Sequence, residues 1–158
     1  MKIIISGSSG LVGSALSPHL EKAGHTVQRL VRGPGHPVDG ELLWDPASGE
    51  MDPTHLSGVD VVINLNGRNI GQTRWNARVK EDLLRSRIDS TRTITRAIAS
   101  ADKPPGLLIN ASAVGYYGDR GEEELVETSA PGHGFLADLS KEWESAALEA
   151  ASDRTRVV

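Results

Sequence analysis

The chain has 158 residues, with 17 basic and 21 acidic residues for a net charge of −4, 38% hydrophobic residues and no cysteine. That length suits one domain that buries its core without a disulfide or metal staple, and the missing cysteines exclude disulfides, thiolate metal sites and thiol nucleophiles. The acidic balance argues against general nucleic-acid binding, and no apolar run is long enough for a membrane span or a signal-peptide core. The expectation is therefore a soluble, cytoplasmic protein with neither nucleic acid nor membrane as a partner.

Residues 2–6 form a short β-branched run that ends in glycine and predicts a buried strand. Leu11, Val12, Ala15, Leu16 and Leu20 recur at helical spacing over 11–23, and Gly24 reads as the stop. A second strand is predicted over Thr26–Val31 and a Gly- and Pro-rich loop over 33–40, followed by a weak strand over Leu42–Trp44. Val59–Leu65 is a strong buried strand closed by Asn66 and Gly67, and a long helix is predicted from about Arg74 to Ala101. Pro104-Pro105-Gly106 ends that region, and Leu107–Ala111 is the next strand. A loop is predicted over 112–133, a helix over 135–151, and the opening of a strand at Arg156–Val158. Apolar strands alternating with helices imply an α/β fold of parallel βαβ units, with both faces of the sheet covered.

Gly7, Gly10 and Gly13 are spaced G-x-x-G-x-x-G between the first strand and the first helix. The first glycine permits a tight turn, the second lets the backbone approach a pyrophosphate, and the third allows close packing of helix on strand. Free N–H groups and the positive dipole end of the helix then face the phosphates. Gly7, Ser8, Ser9, Gly10, Leu11, Val12 and Gly13 form the candidate cradle, and a merely tight βα turn is the plainer alternative. An acidic residue at the end of the second strand would hold the 2′-hydroxyl of NAD. Val31 and Arg32 stand there instead. A guanidinium pairs with a 2′-phosphate, so NADP (NADPH) is expected over NAD, with Arg32 as partner and Arg29 as a lesser candidate. The alternative for Arg32 is a solvated surface charge.

Asn64, Leu65, Asn66 and Gly67 end a strand where backbone and amides can approach a cofactor ribose, unless they only form a turn. Asp45 can reach an adenine amino group or form an Asp-Pro turn. On the long helix, Arg78, Arg85, Arg92 and Arg96 make a stripe beside Asp82 and Asp89, with Arg78–Asp82 and Arg85–Asp89 at pairing distance, which reads as a solvated or subunit-facing surface. Arg87 differs, because it falls on the apolar arc of Leu83, Leu84, Ile88, Ile94 and Ile98, where a guanidinium needs a partner. It is either aimed at a cofactor–substrate cleft or held in a structural ion pair. The five histidines show no metal-ligand spacing, so no metal is expected.

The glycine spacing, Asn64-Leu65-Asn66-Gly67, Arg74-Trp75, Ser86-Arg87, the segment from Ala111 to Gly118, Phe135-Leu136-Ala137 and Trp143-Glu144 together resemble the short-chain dehydrogenase/reductase superfamily in its extended form, the atypical epimerase family branch. The resemblance implies a Rossmann-type doubly wound parallel sheet, with residues 1–158 as its NAD(P)-binding domain. It also implies that the chain is C-terminally truncated relative to the family, whose substrate region would follow. In the superfamily a serine binds the reacting oxygen, a tyrosine moves its proton, and a lysine four residues on lowers the tyrosine pKa and holds the nicotinamide ribose. Ser112 matches the serine; a loop serine bonded to local backbone is the alternative.

The Tyr-x-x-x-Lys pair is absent. One register sets Ala137 and Lys141 at its positions, the other Leu136 and Ser140; helical facing favours the second, because Lys141 points away from the apolar face. Tyr117, in the loop, is a pocket wall or a substitute proton donor. Arg87 stands where ordinary members keep an active-site asparagine, and there could polarise a carbonyl or hold a carboxylate or phosphate. The expected activity is oxidoreduction or epimerisation of a small or sugar-like hydroxy/keto molecule. The alternative is a catalytically silent NADP-binding regulatory or sensor protein. Both long helices offer surfaces for a homodimer.

Overall fold

The computed structural model describes residues 1–33 and 36–158. In chain order the elements are β1 (Lys2–Ser6), α1 (Leu11–Lys22), β2 (Thr26–Val31), β3 (Glu41–Asp45), β4 (Glu50–Met51), β5 (Val61–Asn64), α2 (Ala77–Ser100), β6 (Leu107–Asn110), α3 (Phe135–Leu148) and β7 (Arg156–Val157). The strands form one sheet in the order β4-β3-β2-β1-β5-β6-β7. It is parallel except where β4 pairs antiparallel with β3. The chain winds outward from β1 to β3, then returns to β5 on the other side of β1. That reversal is the switch point of a Rossmann-like sheet, where the strand ends part and leave a crevice.

The pleat of β1 distributes the core. Ile4 faces one side, with Val62, Leu108 and, from α2, Ile94, Ala97 and Ile98. Ile3 and Ile5 face the other, with Val61, Ile63 and, from α1, Leu16 and Leu20. Each such aliphatic side chain, fully buried, contributes about 1.5–3 kcal/mol. The third helix packs on α2 through Leu139, Trp143 and Ala146 against Leu83 and Ile88. Helices therefore cover both faces, and α2 and α3 each spend one face on the other.

Several boundaries differ from the sequence expectation. The second helix starts at Ala77 rather than Arg74, because Asn76 is extended and its Oδ1 accepts the Val79 N–H at 2.9 Å. The third helix stops at Leu148 rather than 151. The short strand β4 was not expected. Asp45 accepts the Ala47 N–H at 2.9 Å and so turns the chain back onto β3. The turn expected at Asp45-Pro46 therefore forms, with Oδ1 as its acceptor.

A 3₁₀ turn at Pro53–Leu56 is capped by Asp52 in the same way, through Thr54. Hydrogen bonds hold both carboxylates below their ordinary pKa, chiefly from the Ala47 backbone at Asp45 and from the Thr54 side chain at Asp52. A second 3₁₀ turn, Val114–Tyr116, interrupts the predicted loop over 112–133. The Gly- and Pro-rich stretch 33–40 joins β2 to β3, and its residues 34–35 lie outside the described residues. Among the described residues no helix is long and apolar enough to cross a membrane.

Candidate functional site

The glycine loop closes over the end of β1 by steric necessity. Gly7 sits at φ +71°, and a Cβ there would lie 2.7 Å from the Leu65 carbonyl oxygen. A Cβ on Gly13 would lie 2.7 Å from Ser8 Cα, so no larger residue lets α1 start so close to the turn. No side chain caps this helix, whose first turn carries no acidic residue. Its first N–H groups are therefore open to an anion.

Two cavities meet at this loop. One, of about 730 Å³, runs from Ser8 and Ser9 past the end of β2. The other, of about 920 Å³, runs from Gly10, Leu11, Val12 and Gly13 along Leu65 and Gly67 to Ala111. Gly7, Arg32 and Asn66 line both. Leu11 and Val12 are 92% and 59% exposed, an unusual placement for large apolar residues that a ligand lying along the loop would cover. Two cavities on either side of an anion-binding loop are the arrangement that a dinucleotide with a central diphosphate calls for.

At the end of β2 the two candidate cations part ways. Arg29 is tied to Glu21 at 2.9 Å. Arg32 is exposed at the junction of the cavities and has no carboxylate partner among the described residues.

Asn64 is placed differently from its neighbours. Leu65, Asn66 and Gly67 line the larger cavity, whereas Asn64 is fully buried beneath it and lines neither. Its Oδ1 accepts from Ser6 Oγ at 2.6 Å, and its Nδ2 donates to Thr91 Oγ1 at 2.8 Å and to Asn110 Oδ1 at 2.7 Å. The indole N–H of Trp143 also donates to Thr91, at 2.9 Å. Ser6, Asn64 and Asn110 are register partners on adjacent strands, so one amide ties the ends of β1, β5 and β6 to α2 and α3. The side chain expected near the ribose is thus spent on positioning the loops around it. The signal in the sequence is three polar residues each closing an apolar strand.

Arg87 meets neither expectation made for it. Among the described residues it forms no ion pair, and it lines neither cavity. Its guanidinium lies 5.2 Å from the Trp143 ring centroid, donates to the Leu83 carbonyl at 3.1 Å, and sits 3.0 Å from where a Cβ on Gly67 would be. It therefore supports the loop after β5 from below, stacked on α3. Burial pulls its pKa down, but a guanidinium stays charged at neutral pH. With no buried ion pair to lose, Arg87→Met should keep unfolding stability within about 1 kcal/mol in urea titrations; a loss several times larger would show a structural cation instead.

The arginine stripe on α2 is paired in part as expected. Arg85 meets Asp89 at 3.3 Å, but Asp82 bonds Arg68 at 2.6 Å rather than Arg78, which fastens the loop 66–76 to α2. Arg92 reaches Glu149 at 3.5 Å. On α3, Ser140 is buried and donates to the Leu136 carbonyl at 2.9 Å, Leu136 packs on Gly115, and Lys141 turns outward to Asp138 at 2.7 Å. Tyr117 stacks edge-on against Tyr116 at 5.2 Å and lines neither cavity. Ser112 is exposed, one residue past the cavity-lining Ala111. Its hydroxyl bonds no local backbone; it donates to Glu144 Oε1 of α3. The sequence reading did not single out Glu144 as a site residue, because 32 positions separate it from Ser112 and no local spacing connects them.

Residues 3–135 match the model of the NAD dependent epimerase/dehydratase family. An epimerase family protein of Mycobacterium bovis is 47% identical over 157 residues, covering 99% of this chain and 51% of that protein. The crystal structure of human epimerase family protein SDR39U1 (isoform 2) with NADPH superposes with a TM-score of 0.85 at 32% identity, covering 99% of this chain and 52% of that one. A nucleoside-diphosphate sugar epimerase from Corynebacterium glutamicum gives a TM-score of 0.82 at 36% identity, covering 99% of this chain and 32% of that one. This chain thus spans about half the length of the mycobacterial and human proteins.

Proposed function

The chain belongs to the NAD dependent epimerase/dehydratase family, and we propose that it acts as an NADP-dependent oxidoreductase or epimerase on a small or sugar-like hydroxy/keto molecule. The observation that carries this reading is the paired cleft across the glycine loop with Arg32 at its junction. The loop from Gly7 to Gly13 would hold the diphosphate on backbone N–H groups, and Arg32 would hold the 2′-phosphate. Asn66 and Gly67 would wall the nicotinamide side, with Asn64 and Arg87 positioning that wall from beneath. The cofactor, when bound, supplies the hydride chemistry. The bound NADPH of the human relative, at 32% identity, supports the same cofactor here.

Calorimetry with NADPH and NADH tests the assignment. NADPH should bind more tightly, and Arg32→Ala should cost about ten- to a hundredfold for NADPH, as expected for a charge-assisted contact, while leaving NADH unchanged. Equal affinity for both nucleotides would remove NADP from the reading, and no heat with either would remove the nucleotide site.

A second reading has its own observation. In either register the superfamily tyrosine is missing from α3, the Ser140 hydroxyl is spent on the Leu136 carbonyl, and Lys141 is tied outward to Asp138. That arrangement suits a catalytically silent NADP-binding regulator. Tight NADPH binding without turnover of any hydroxy or keto substrate would favour it.

A further inference from the structure

We propose that Glu144 is the proton terminus of this site, a positioning residue that acts through Ser112 and makes the serine a base for a hydroxyl-bearing substrate. The inference rests on the NADP-dependent reading above and goes beyond it in naming the residue that takes the place of the absent tyrosine and the functional group it acts on.

A serine hydroxyl has one proton and two lone pairs, whereas a carboxylate only accepts. Ser112 gives its proton to Glu144 Oε1, so its Oγ has only lone pairs left for anything entering beside it. A ketone oxygen also only accepts, and finds no donor there. A substrate hydroxyl does find a partner. Ser112 lines neither cavity itself, but it is exposed directly beside Ala111, which lines the larger one, so a hydroxyl at that rim meets it.

The two α3 residues that bear on the missing tyrosine–lysine pair are both engaged elsewhere. The Ser140 hydroxyl is spent on the Leu136 carbonyl at 2.9 Å, and Lys141 is spent on Asp138 at 2.7 Å. The Tyr116 and Tyr117 rings stack on each other at 5.2 Å in the neighbouring loop.

The O–H bond of a substrate alcohol breaks and its proton passes to Ser112 Oγ, while the serine's own proton passes to Glu144 and from there to water. The C–H bond on the same carbon breaks with both its electrons, and the C–O bond becomes C=O. The alcohol is thereby oxidised by two electrons, which leave as hydride to the oxidised nicotinamide nucleotide. Reduction runs the relay backwards from protonated Glu144, which donates to Ser112 Oγ and so frees the serine proton for the carbonyl oxygen.

The test uses the full chain with NADP⁺ and three probe alcohols: 2-propanol, cyclohexanol and glycerol. NADPH formation is read by fluorescence. Glu144→Gln should lower turnover by about 10²- to 10⁴-fold, the usual weight of a positioned acid–base group, while NADP⁺ affinity and melting temperature stay unchanged. Glu144→Asp should keep part of the rate, and added formate should restore part of it to Glu144→Ala. The hydrogen bond is read without cofactor: in isotope-labelled protein the Glu144 carboxyl-carbon resonance, assigned by its loss in Glu144→Gln, should move in Ser112→Ala.

An unmoved resonance, equal turnover in wild type and Glu144→Gln, failure of formate rescue, or loss of NADP⁺ binding in Glu144→Gln would each overturn the proposal. Wild-type chain that binds NADP⁺ but oxidises none of the three alcohols overturns it as well, and leaves the nucleotide site standing. Failure to bind either NADP⁺ or NADPH overturns both.

Discussion

Gly13→Ala is expected to weaken NADPH binding by at least about 100-fold, or about 2.7 kcal/mol. The added Cβ would lie 2.7 Å from Ser8 Cα and 3.0 Å from the Gly7 carbonyl carbon. Both neighbours are backbone, so the clash is relieved only by moving the turn that aims the N–H groups of α1. Overpacking should also cost about 1–3 kcal/mol of stability. Gly10→Ala is the informative comparison, because its Cβ would meet only the Gly7 carbonyl oxygen, at 3.3 Å. That variant should fold nearly as well as wild type and lose affinity because its methyl group enters the path of the ligand. Calorimetry together with thermal melting separates the two effects. Wild-type affinity in Gly13→Ala would show that the turn does not carry the diphosphate.

Asn64→Leu should be among the most destabilising single substitutions in this chain, at about 3–5 kcal/mol. Leucine leaves the Ser6 hydroxyl and the Asn110 carbonyl oxygen without their partner, and takes from Thr91 one of the two N–H donors it accepts. Ser6, Asn64 and Thr91 are buried and Asn110 is half-buried, so water replaces few of the lost bonds. The melting temperature should fall by roughly 10 °C. The same change loosens the strand ends that carry the cradle, so NADPH affinity should fall even in the fraction that remains folded. A loss below about 1 kcal/mol in urea unfolding would mean that the network is not the tie described here.

The contrast between these two positions shows how much was legible in the residues alone. The glycine cradle was legible because its three members lie within seven positions and their spacing is itself the constraint. Asn64 ends a strand beside Asn66 and Gly67, a place that suits a ligand-facing amide or a turn but does not announce a buried one. Its burial depends on Ser6, Thr91 and Asn110, which only the sheet register and the packing of α2 bring together. Arg87 was recognised as anomalous by its place on an apolar arc, yet its actual support, the ring of Trp143, comes from another helix. Arg85–Asp89 formed as expected because four residues on a helix face bring the pair together. Asp82 instead chose Arg68, from a loop whose course no periodicity predicts.

Local order was therefore the sequence's own decision. Apolar runs, helical recurrence and obligate glycines specify strands, helices and the turn that opens α1, because these depend on neighbours a few residues away. The strand order that puts the crevice between β1 and β5, the inward turn of Asn64, the freedom of Arg32 beside the tied Arg29, and the meeting of Ser112 with Glu144 belong to the tertiary structure. Each joins groups from separate elements, and a hydrogen bond or ion pair of that kind exists only once the packing of the whole sheet and its helices has set the distance.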